Sequence, residues 1–153
     1  MRRTLAAVML AALATMLVAA GCGGDDDGDG EALSKEEFIA QGDENCAEAD
    51  QELEAAERET FGGLEQGQQP DPEQIEQFAT EELVPNIQGQ VDHLRELNPP
   101  EADEERIDEI LDTAQEGLDE IEDDPSALQA GSPTGLDEAG QQLQEYGFEE
   151  CGG

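Results

Sequence analysis

The chain predicts an all-α protein: an antiparallel four-helix bundle, up-down-up-down, with a kinked second helix and one disulfide. Three observations lead there. Four segments repeat apolar or small residues at spacings of three and four, with one step of five from Phe78 to Leu83. No segment alternates apolar and polar residues as a half-buried strand does. The breaks between segments are short and rich in Gly and Pro, which suits neighbouring helices of a bundle.

The first residues read as a targeting segment. Met1-Arg2-Arg3 is a short positive start, and Leu5 to Ala20 is an uncharged run, long for a signal core and short for a membrane span. It ends in Val18-Ala19-Ala20-Gly21-Cys22. Small residues ahead of a cysteine resemble the bacterial lipobox, although Ala19 stands where that motif most often has Leu. The resemblance implies a lipoprotein-type signal peptide over 1–21 and cleavage before Cys22. It further implies a thioether-linked diacylglycerol on Cys22 that anchors the protein to the outer face of the cell membrane. The plainer alternative is an ordinary secretory signal with an incidental cysteine. Arg2-Arg3 also permits twin-arginine export.

Cleavage would leave 132 of the 153 residues, with four cations against 41 carboxylates, a net charge of −37. Too few cations remain to clamp phosphates, so nucleic-acid binding and adsorption to an anionic lipid surface are both excluded. Leu, Ile, Val and Phe make up about a sixth of the mature chain, a fraction typical of disorder. The helical spacing has to outweigh that composition. Crowded carboxylates also predict raised carboxyl pKa values in the compact state.

Residues 22–33 hold the lipidated cysteine and an acidic Gly/Asp tether that like charge keeps extended. The helical domain spans 34–151, and 152–153 form a tail. Ser34-Lys35-Glu36-Glu37 is a capping box that opens the first helix. Its stripe is Phe38, Gly42, Cys46, Ala49, Leu53 and Ala56, and Gly62-Gly63 ends it. After a Gly/Gln/Pro loop, Asp71-Pro72-Glu73-Gln74 opens the second helix, with Pro72 where its missing N–H costs nothing. Its stripe is Ile75, Phe78, Leu83, Ile87, Val91 and Leu94. Pro85 removes the bond to the Glu81 carbonyl, so a kink is expected. Asn98-Pro99-Pro100 ends the second helix and opens the third, which carries Ile107, Ile110, Ala114, Leu118 and Ile121 and stops near Asp123-Asp124-Pro125. Ser126 to Ala130 adds one further turn. Past the Gly131-Ser132-Pro133 break, the fourth helix carries Leu136, Ala139, Leu143 and Tyr146.

Stripes this thin call for a staple. In an oxidising compartment, with Cys22 lipidated, Cys46 and Cys151 are left to pair. Cys46 lies about 18 Å up a first helix of about 40 Å, and a returning fourth helix of about 21 Å stops near that height. Two free thiols or an intermolecular bridge are the alternatives. Phe38-Ile39-Ala40-Gln41 followed by Cys46, the Leu97-Asn98-Pro99-Pro100 turn, and Tyr146-Gly147-Phe148 with Cys151 resemble a type of small secreted lipoprotein of high-GC Gram-positive bacteria. The resemblance covers most of residues 34–151. It implies a helical domain with a Cys46–Cys151 bridge and no particular ligand.

Chemistry-bearing patterns are few. Asp25, Asp27, Asp29, Gly30 and Glu36 stand at the first, third, fifth, sixth and twelfth positions of a calcium-loop pattern. No entering helix precedes Asp25, and Ala32 occupies the usual branched apolar position. A solvated acidic tether explains the same residues, and low-affinity calcium binding is the alternative. His93 and Glu96 share a helix face but lack the further ligands that a bundle metal site needs. With one His in the chain there is no nucleophile–base pair, so no enzyme and no cofactor are expected. The acidity reads as a solvated surface, as weak cation accumulation, or as a complement to a basic protein partner. The sequence thus predicts a binding or structural module at the membrane.

Overall fold

The computed structural model describes residues 32–65, 68–130 and 134–152. Its first two helices begin at capping boxes. Helix α1, Lys35–Phe61, starts with a reciprocal box: the Glu37 N–H donates to Ser34 Oγ at 3.3 Å, and the Ser34 N–H donates to Glu37 Oε2 at 3.1 Å. The Ser34 hydroxyl donates to the same carboxylate at 2.6 Å. These bonds, the hydroxyl's first, hold the Glu37 carboxyl below its ordinary range. Helix α2, Pro72–Phe78, repeats the device: the Gln74 N–H donates to Asp71 Oδ1 at 2.9 Å, and the Asp71 N–H donates to Gln74 Oε1 at 3.2 Å.

Helix α2 continues through a π-turn, Ala79–Leu83, into α3, Val84–Glu96. Pro85 offers no N–H to the Glu81 carbonyl. Just ahead of it, the Val84 N–H bonds five residues back, to the Ala79 carbonyl. The extra residue rotates the register. Ala79 and Val84, both off the expected stripe, become buried, while Leu83 and Ile87 stay half-buried.

The third helix starts later than expected. Pro99 precedes Pro100, which disfavours helical backbone. A turn intervenes, with the Asp103 N–H donating to the Pro100 carbonyl at 2.8 Å, and α4 runs Glu104–Asp123. The Asn98 carbonyl meanwhile accepts from the Leu33 N–H at 2.8 Å, tying the start of α1 to this turn. A 3₁₀ turn, Pro125–Ala130, leads towards α5, Thr134–Tyr146. Among the described residues there are thus four helical segments and no strand. None of these helices is long and apolar enough to cross a membrane.

Helix α4 is the centre. Its five expected core positions are all buried, with Leu111 and Gly117 beside them, and it packs on both α3 and α5. Helix α1 contributes Phe38, Gly42 and Cys46; the rest of its stripe is only half-buried. Near its end, Phe61 packs on Phe78 of α2, with ring centroids 5.1 Å apart.

The C-terminal segment closes the fold over α1. Gly147 turns the chain at φ +130°, a conformation that L side chains resist. Phe148 then enters a notch above Gly42, where a Cβ would lie 2.5 Å from the Phe148 ring and 2.7 Å from Leu94. The Asp43 carboxylate gathers the N–H groups of Glu149, Glu150 and Cys151; the Glu150 bond is the shortest, at 2.9 Å. Cys151 is bonded to Cys46, with Cα atoms 5.2 Å apart. Gly42, Asp43 and Cys46 thus seat the C-terminal segment by space, charge and covalent bond.

Candidate functional site

A half-open cleft of about 510 Å³ lies between the helices, against the disulfide. Cys46, Asp50 and Leu53 form its α1 side, one helical turn apart. The π-turn and α3 supply Leu83, Ile87 and Val91, and α4 supplies Leu111 and Ala114. Leu128 of the 3₁₀ turn and Leu136 of α5 complete an apolar wall. The charged groups lining it are Asp50 and Asp137, and the amides are those of Gln90 and Gln141; no cation among the described residues lines it.

Asp50 stands out electrostatically. It is half-buried, and burial raises its carboxyl pKa first, with the charges of Glu150 and Glu54 raising it further. The ion pairs among the described residues are Arg58–Glu54 and Arg95–Asp112, so Asp50 has none. Asp50 is thus raised by burial first and by neighbouring charge second, whereas the capped Glu37 moves the other way. For Asp50 the native state holds its proton more tightly than the unfolded chain does. Its contribution is fully present below the unfolded value of about 3.9 and is lost as pH rises through the raised native value. The Asp50→Asn variant should therefore gain stability relative to wild type as pH rises above that range. Urea midpoints at acid and neutral pH check this; a constant difference between the two proteins would contradict it.

The aromatic cluster lies outside the cavity lining. Phe38 meets Tyr146 and Phe148 edge to face, at 6.2 and 5.7 Å between centroids. The Tyr146 hydroxyl donates to Asp103 Oδ2 at 2.9 Å, and the Lys35 ammonium lies 3.9 Å from the Tyr146 ring centroid. Burial, then the bond to Asp103 and its charge, push the phenol up to about 12. The hydroxyl is a fixed donor that joins α5 to the turn before α4.

The sequence-predicted residues fare unequally. Cys46 and Cys151 are brought together as a disulfide. Cys22, Asp25, Asp27 and Asp29 lie outside the described residues, and Glu36 is an exposed side chain in the first turn of α1. His93 is half-buried and Glu96 exposed, and no group of three or more metal-capable side chains gathers among the described residues. Asp50 was missed, although its position four residues after Cys46 puts it on the bridge-bearing face of α1. Asp43 was missed for want of a local signal, because its partners are more than a hundred residues away.

No protein-family model matches the chain, and neither the curated proteins nor the solved structures contain a significant match to it.

Proposed function

We propose that this protein is a lipid-anchored module on the outer face of the cell membrane that binds a small apolar molecule, without enzymatic turnover. The observation that carries the binding reading is the cavity of about 510 Å³, a size within the range of small-molecule sites and lined mostly by aliphatic side chains. The oxidised Cys46–Cys151 pair is in keeping with an exported protein. The short connections also favour an up-down-up-down course, and the π-turn ahead of Pro85 favours a bend there.

Binding is tested with the neutral dye phenylnaphthylamine, whose fluorescence rises in apolar surroundings. Saturable enhancement with one site per chain is expected, and its loss on filling the cleft by Ala114→Phe. Enhancement that is absent, or that survives the substitution, counts against the cleft. Anchoring rests on the charged start, the apolar run and the small residues before Cys22. Two acyl chains suffice for stable attachment, so wild type should fractionate with membranes and Cys22→Ser should be released. Equal retention of both would refute lipidation.

A further inference from the structure

We infer that the cleft selects an apolar amine: a ligand with an aliphatic body and a protonated nitrogen. The inference rests on the cleft being a binding site and adds the chemistry of its occupant. The walls are aliphatic, and the charges on them are both carboxylates. Asp50 sits half-buried among those walls without a cationic partner, beside the further negative charges of Glu54 and Glu150. A neutral apolar ligand would strip water from Asp50 and give nothing back. A fatty-acid anion would bring a like charge into the same place. An alkylammonium answers both features: its chain fills the cavity and its N–H groups donate to the carboxylate in a charge-assisted bond. The aromatic rings of Phe38, Tyr146 and Phe148 do not line the cleft, so the head group is met by a carboxylate and not by a ring face. With 41 acidic against 6 basic side chains in the chain, the long-range field also concentrates cations around the mouth.

Displacement of phenylnaphthylamine from the purified full chain tests this, with decylamine, decanol, decanoate and methylamine as competitors below their micellar concentrations. Decylamine should displace the dye at about a tenfold lower concentration than decanol, which corresponds to one charge-assisted bond. Decanoate should be weaker than decanol, and methylamine, a head without a body, should not compete. Asp50→Asn should abolish the advantage of decylamine over decanol, with decanol itself binding equally or better because no carboxylate is then stripped of water. Equal potency of decylamine and decanol on wild type would overturn the inference while leaving the apolar cleft standing. Should the dye fail to bind, calorimetric titration with decylamine decides, and the absence of saturable heat would overturn both readings. Decylamine binding that survives Ala114→Phe would place the amine on the acidic surface and likewise overturn the inference. Should Asp50→Asn not fold, the wild-type order of decylamine over decanol decides by itself.

Discussion

Reduction of the Cys46–Cys151 bridge is expected to lower the thermal midpoint by about 15 °C. The bond closes a loop of 105 residues, and the chain-entropy value for such a loop is up to about 4.7 kcal/mol. At about 3 °C per kcal/mol for a domain of this size, the shift follows. It is a large part of the about 5–15 kcal/mol by which small domains are stable. Three backbone bonds to Asp43 and the seat of Phe148 above Gly42 remain after reduction. The reduced protein should therefore keep its helical circular dichroism in the cold and melt early, and Cys46→Ala with Cys151→Ala should behave alike. A midpoint that moves by less than about 3 °C would show that the noncovalent seat alone holds the C-terminal segment.

The second large effect is expected from Phe38→Ala, a loss of about 3–5 kcal/mol read from urea unfolding. Phe38 is fully buried and makes edge-to-face contact with both Tyr146 and Phe148. Truncation leaves a cavity where α1, α5 and the C-terminal segment meet, and all three lose their common partner. Phe61→Ala provides the contrast on the same helix. Phe61 is half-buried against Phe78 at the far end of α1, so its truncation should cost less than about 2 kcal/mol. Similar losses for the two variants would mean that the core extends along the whole of α1.

The two phenylalanines also mark how far the sequence could be read. The stripe of α1 begins at Phe38 and continues to Ala56, yet full burial stops at Cys46. Spacing reports which face of a helix is apolar; how many turns of that face are covered depends on the lengths of its neighbours. The stripe of α4 was legible because both α3 and α5 pack on it and cover its apolar face, although its start was not. The second helix was legible only in part. Pro85 announced a missing bond, and the step of five from Phe78 to Leu83 interrupts the spacing across the π-turn, but neither says that Ala79 and Val84 are the residues carried into the core.

What the sequence determined by itself are the features that arise within one turn of backbone. The two capping boxes join residues three apart, the proline breaks act on their immediate neighbours, and the all-α class follows from spacings of three and four. The Cys46–Cys151 pair lies between the local and the distant. Helical rise per residue is constant, so segment lengths alone could bring the two cysteines to one height. Tertiary structure alone decided the rest. Asp43 became a clamp because the chain returned three N–H groups to it from more than a hundred residues away, and Gly42 became a notch because Phe148 arrived above it. Asp50 changed from one carboxylate among 41 into the half-buried acid of an aliphatic cleft. The physical reason is the same for all three: burial and charge–dipole contact depend on which distant groups meet a side chain, and residue spacing carries no record of that.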